Sequence, residues 1–190
     1  MLKYTLYPIL VLFSYTGKNQ AIEEEKSNME TKDFTTTIFV SQQPEQVYKA
    51  INNVRGWWSE EIEGETEKLN AVFNYHFQDV HRCKMKITTL IPGKKVVWRV
   101  EENYFKFTSK QNEWPGTEVI FEISKAGEQT KLVFTHKGLQ PKDECYKICH
   151  DAWTNYIQIS LRELITKGKG KPNGKEKAQT DDEKKLSSGK

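Results

Sequence analysis

Between Phe34 and Leu139 one segment after another alternates apolar and polar residues at period two, and a single long stretch at period 3.6 follows them. In AVFNYHF (71–77), Phe73, Tyr75 and Phe77 fall on one side and Asn74 and His76 on the other. CKMKITTL sets Met85 and Ile87 opposite Lys84 and Lys86, and after the Pro92-Gly93 turn KKVVWRV puts Val96, Trp98 and Val100 on one face. EVIFEIS and TKLVFTHKGL join through Ala126-Gly127, a hairpin signal, and in the second of them Leu132, Phe134 and His136 point one way. The β-branched and aromatic run FTTTIFV (34–40) predicts a first strand. The region holding NYFKFT and the Pro115-Gly116 turn reads as a wide loop.

Two kinds of helix are expected. PEQVYKAINNV, with Pro44 at its start, predicts a short one directly after the first strand. Asp143 is the expected cap of a long helix ending near Thr166, with Gly168 beyond it. Cys149, Ala152, Trp153, Tyr156, Ser160 and Leu164 form its stripe, widened by Ile157 and Leu161. The predicted class is α+β: a curved antiparallel sheet of six or seven strands wrapped around a long C-terminal helix, with two short helices after the first strand.

Composition sharpens this picture. Hydrophobic residues make up 36% of the 190 and aromatics 12%, so a few large rings must supply much of the core. The net charge of +3 is a property of the tail: residues 167–190 carry eight lysines against four acids, a surplus of four that leaves the rest of the chain at −1. The folded part therefore has no basic footprint for nucleic acid. Residues 169–190 are rich in Gly, Lys, Asp and Ser and predict a disordered tail; residues 29–168 are the expected domain.

Residues 1–28 read as an upstream extension outside the fold. MLKYTLYPILVLFSYTG contains a short apolar run, too short to span a bilayer and without a clean cleavage site, and Met29 is the expected start. With three cysteines, Cys83, Cys145 and Cys149, this favours a cytoplasmic protein, with export as the alternative if the first segment is a true signal.

With that order in place, TTTIFVSQQPEQVYKAINNVRGWW, together with LVFTHKGL and a helix bearing AWTNYI, resembles the SRPBCC superfamily of START-like, birch-pollen-allergen-like proteins. Within it, residues 33–166 most resemble the activator of heat-shock protein 90 ATPase homologue 1-like domain. The resemblance implies a helix-grip fold with a cavity for a small apolar ligand between sheet and helix. In the eukaryotic co-chaperone, ATPase stimulation rests heavily on a separate N-terminal domain, so the expectation here is a binding domain.

The residues expected at a ligand site are Trp57, Trp58, Tyr75, Phe77, Met85, Trp98, Phe105, Phe121, Phe134, His136, Trp153 and Tyr156. The same rings would equally form a closed core. Neighbours on a helical turn diverge by about 100°, so one of Trp57 and Trp58 is expected in the core and the other at the cavity entrance. His136 is the only catalytic candidate, as a general base near neutral pH, against a core histidine satisfied by its neighbours.

His81, Cys83, Cys145, Cys149 and His150 lack the spacing of a zinc site, so buried thiols are the better reading and no metal or cofactor is expected. No G-x-S-x-G elbow and no phosphate loop occurs in the right context, and the carboxylates of EEIEGETE read as a solvated rim. The expected function is binding a small hydrophobic or amphipathic molecule, with no nucleic-acid or membrane partner. An interaction module engaging a chaperone is the first alternative. A polyketide cyclase-type enzyme using His136 with Tyr75 or Tyr156 is the second.

Overall fold

The first strand, β1 (Phe34–Val40), pairs with the last, β7 (Gln129–Lys137), from Phe34 opposite His136 to Val40 opposite Thr130. The computed structural model describes residues 32–188, so the expectations for residues 1–28 lie outside the described residues. The remaining strands are β2 (Glu63–Gly64), β3 (Val72–Phe77), β4 (His81–Ile91), β5 (Lys95–Phe105) and β6 (Glu118–Ala126). They form one seven-stranded antiparallel sheet in the order β1-β7-β6-β5-β4-β3-β2. Because β1 and β2 lie at opposite edges, the chain between them must cross the sheet. That crossing holds α1 (Pro44–Asn52), a 3₁₀ turn (Val54–Gly56) and the two adjacent tryptophans.

Curvature comes from two irregularities between β4 and β5. The register slips between Lys84 and Met85 and again between Ile87 and Thr89, leaving Glu101 and Thr88 as extra residues on their strands. Each extra residue switches which positions face inward. On β5 the buried set passes from Val96, Trp98 and Val100 to Phe105. The expected wide loop is therefore shorter than its sequence implies, since Asn103, Tyr104 and Phe105 of NYFKFT continue β5.

The long helix runs as α2 (Tyr146–Asn155), a π-helical turn (Tyr156–Leu161) and α3 (Arg162–Lys167), ending at Gly168 with φ 75°. Its start corrects one expectation. Asp143 accepts from the backbone N–H of Gln140 (2.7 Å), closing the preceding turn, and the helix begins at Tyr146. Its first amides are met from another loop: Glu113 accepts from the N–H of Glu144 (2.9 Å) and of Cys145 (2.8 Å). The π turn inserts extra chain into the stripe, so burial at its end reaches Ile165, with Leu164 only partly buried. Among the described residues no helix is long and apolar enough to cross a membrane.

Two polar stretches expected in solvent are instead built in. In EEIEGETE, Ile62 is buried, the Glu61 side chain is 8% exposed with His76 3.8 Å away, and Glu63–Gly64 pair with β3. After Gly168 the chain lies on the body and ends in α4 (Asp181–Ser187), where a disordered tail was expected. Composition understated the fit because backbone groups anchor the segment. Lys171 N–H donates to Ser160 Oγ (2.7 Å), Asn173 N–H donates to Trp58 O (2.8 Å), and Glu60 N–H donates to Asn173 O (2.9 Å). Gly170 allows this approach, since a Cβ there would stand 2.3 Å from Gly56 O and 2.9 Å from Ser160 O.

Candidate functional site

Trp57 and Trp58 arrive over the centre of the sheet and are both buried, at 0% and 1% exposure. Neither stands at an open entrance, where one of them was expected, and both lie near-parallel to Trp98. Trp57 donates its indole N–H to Ile51 O (3.1 Å), and its ring lies near-parallel to that of Trp98 and edge-on to Phe121. This is core. Trp58 packs 4.6 Å from the Tyr75 ring and 5.0 Å from the Trp153 ring, and it borders a hollow of about 40 Å³ between the sheet and the long helix.

Of the twelve expected site residues, six line that hollow: Trp58, Tyr75, Phe77, Phe105, Trp153 and Tyr156. Trp57, Met85, Trp98, Phe121, Phe134 and His136 do not; they are close-packed beside it. The separation follows the sheet, because the hollow lies at the β3–β4 end while the β6 and β7 rings pack against Trp57, Trp98 and one another.

His136 is fully enclosed and spoken for at both nitrogens. An indole N–H can only donate, so the bond from Trp153 Nε1 (3.1 Å) makes His136 Nδ1 the acceptor; Nε2 then carries the proton and donates to Thr117 Oγ1 (2.9 Å). Burial pushes its pKa down to about 3. It faces packed rings instead of the hollow, so it has no place from which to move a proton on a bound molecule.

The polar groups that do border the hollow are different ones. His81 Nε2 and Trp114 Nε1 are both buried and find no hydrogen-bond partner among the described residues. Their rings meet edge-to-face, 5.1 Å between centroids. Burial, with a smaller contribution from His136, pushes the His81 pKa down to about 3, which keeps the imidazole neutral. On the helix side the Tyr156 hydroxyl donates to the carboxylate of Glu183, and Asn173 Nδ2 donates to the same hydroxyl (2.9 Å). Burial first, and then the Glu183 charge, hold the Tyr75 phenol well above its ordinary pKa; burial, Tyr75 and Glu183 do the same for Tyr156. Cys149 also lines the space, its thiol pushed up by burial and by Cys145.

Sequence reasoning missed Trp114, Glu183 and Leu186. Trp114 sits in a stretch read as loop, and the other two sit in a segment read as disordered. His81 was weighed only in a metal reading that was set aside, although its alternation with Cys83 and Met85 already turned it inward. Among the described residues no three His, Cys, Asp or Glu side chains gather as a metal site would require.

The comparisons with known proteins agree with this fold. The family described as activator of Hsp90 ATPase homolog 1-like protein matches residues 41–166. The chain belongs to that family. Members of this fold among solved structures include the Aha1 dimer from Colwellia psychrerythraea, at 25% identity and a TM-score of 0.59 over 73% of this chain and 99% of that one. SSP2350 from Staphylococcus saprophyticus shares the fold at 14% identity and a TM-score of 0.54, over 74% of this chain and 96% of that one. DynU16, a putative protein in the dynemicin biosynthetic locus, does so at 14% identity and a TM-score of 0.53. That match covers 72% of this chain and only 48% of DynU16. No curated protein sequence matches the chain. In this family member the match begins at residue 41 and ends at residue 166, so Trp58 and Tyr156 fall inside it and Glu183 outside.

Proposed function

We propose that this family member binds a small amphipathic molecule in the hollow between its sheet and its long helix. The observation that carries the reading is the pair of unpartnered buried ring nitrogens, His81 Nε2 and Trp114 Nε1, beside an aromatic-walled space. A core that has no further business normally satisfies its polar atoms. Ligand pockets combine apolar walls with a few polar groups that orient the guest. Here the indole N–H donates, while the neutral imidazole offers one site on Nε2, which suits a molecule with an oxygen at one point of an apolar body.

The hollow of about 40 Å³ has room for little more than a water, against roughly 300 Å³ or more for a drug-sized guest. Binding therefore entails local opening. The test is thermal unfolding of the full chain against a panel of aryl and alkyl alcohols, ketones and acids, read with native mass spectrometry of the freshly purified protein. Binding raises the melting temperature with ligand excess, and Trp114→Phe lowers affinity for the oxygenated compound more than for its hydrocarbon analogue. A panel that leaves the melting temperature unmoved, with no co-purified small molecule, overturns the reading.

A second reading, an interaction module engaging a chaperone through the sheet, draws on Phe39, which is 45% exposed on the edge strand β1. It predicts indifference to the panel and an association weakened by Phe39→Lys.

A further inference from the structure

The hollow is small because the chain fills it from outside. Glu183, 7% exposed, and Leu186 both line it, and both belong to α4. Glu183 presents one carboxylate oxygen to the Tyr156 hydroxyl and the other to the backbone N–H groups of Gln179 (3.1 Å) and Thr180 (3.0 Å). These partners are neutral. Tyr75 interacts with Tyr156 and Asn173 at the same point, so two phenols from opposite walls converge there. Leu186, one helical turn on from Glu183, supplies an aliphatic group to the same space. The segment thus places a carboxylate on an apolar body inside a site walled by Trp58, Phe77, Phe105 and Trp153.

Resting on the ligand-binding reading above, we propose that residues 169–188 are an internal competitor for the hollow. The guest they yield to is a carboxylic acid with an aryl or alkyl body, whose carboxylate replaces that of Glu183 at the Tyr156 hydroxyl. The segment is suited to leaving. Among the described residues the apolar side chains it packs on the core are Ala178 and Leu186, both partly buried, and it is otherwise held by polar contacts: the hydrogen bonds of Asn173, Gln179 and Glu183 and ion pairs from Lys171 to Glu163 (3.0 Å) and from Lys147 to Asp182 (2.9 Å). Such a segment opens without disturbing the sheet. On opening it exposes the phenol of Tyr156, removes Glu183, the one carboxylate among the described lining residues, and gives the guest access to Trp114 and His81. Because guest and segment exclude each other, apparent affinity scales with the fraction of molecules in which the segment has withdrawn.

The experiment titrates the full chain with phenylbutyrate and, separately, phenylbutanol, which shares its carbon skeleton but carries no charge. Tryptophan fluorescence reports binding, and trypsin cleavage after Lys175, Lys177 and Lys184 reports withdrawal. Phenylbutyrate is expected to bind more tightly than phenylbutanol, and to speed cleavage in proportion to occupancy. Gly170→Val, which forces the segment off through the Gly56 and Ser160 carbonyls, should tighten phenylbutyrate binding at least tenfold and make cleavage fast without ligand. Glu183→Ala should tighten it likewise, and it touches neither carbonyl, so it carries the test if Gly170→Val fails to fold. Tyr156→Phe should abolish the preference for the acid over the alcohol.

Equal binding of acid and alcohol, unmoved by Tyr156→Phe, overturns the carboxylate assignment while leaving the ligand-binding reading intact. Unchanged affinity and cleavage in both Gly170→Val and Glu183→Ala overturn the competitor. Failure of both compounds to bind any of these variants overturns the inference and counts against the ligand-binding reading as well.

Discussion

Trp57 and Trp58 are neighbours in sequence with unequal duties, and substitution should separate them. Trp57 is enclosed, hydrogen-bonded and stacked on Trp98, so Trp57→Ala should cost about 3–5 kcal/mol, read as a fall in the denaturant midpoint. Trp58→Phe should cost less and instead remove the part of the fluorescence signal that responds to ligand. His136 sets a pH dependence. Its pKa falls from 6.5 to about 3 on burial, so below about pH 6.5 the unfolded chain binds a proton that the folded chain refuses. Stability is complete above that pH and is lost as pH drops toward 3, at about 1.4 kcal/mol per pH unit from this residue. Urea midpoints of the parent protein and of His136→Gln, measured from about pH 7 to about pH 5, should show the variant less stable throughout but less steep. A parallel pair of curves would contradict the burial argument.

At the scale of elements, the long helix depends on a residue far from it in sequence. Glu113 holds the amides of Glu144 and Cys145, so Glu113→Ala should lower stability by about 1 kcal/mol, and Glu113→Gln by less, in chemical denaturation. No local rule reveals such a cap, which is why Asp143 looked like the start of the helix. The strands were legible wherever alternation was uninterrupted, as in Phe73, Tyr75 and Phe77 or in Leu132, Phe134 and His136. They became illegible where Glu101 breaks the period of KKVVWRV, because a bulge reads in sequence as the end of a strand; CKMKITTL was read as a strand straight through the second bulge at Thr88. The same break concealed Trp114, which follows the misread stretch. Inward-facing rings were visible in the pattern. Whether a ring meets another ring or a void depends on how strands far apart in sequence curve together, and that separated Trp58 from Trp57 and Tyr75 from Met85.

At the scale of the whole molecule, the segment after Gly168 was lost to composition. A stretch with few apolar residues looks unable to bury itself, yet Asn173 and Lys171 dock through backbone and amide groups onto positions the body offers, and Gly170 fits where no side chain would. Amide hydrogen exchange should show the order of strength: protection in β5, β6 and β7 lost only with global unfolding, and protection in α4 lost far sooner. Equal protection of α4 and the central strands would show the segment to be an integral part of the cooperative unit.

The partnership of β1 with β7 has a consequence for synthesis. Thr36 meets Phe134, and the ribosome must release nearly a hundred further residues before that contact becomes available. Until then the nascent chain holds FTTTIFV as a bare, sticky edge, and topology of this kind ripens slowly. Translation of this protein should therefore yield a late, single collapse, with early protection of the emerging N-terminal strand left to whatever cellular escort meets it first.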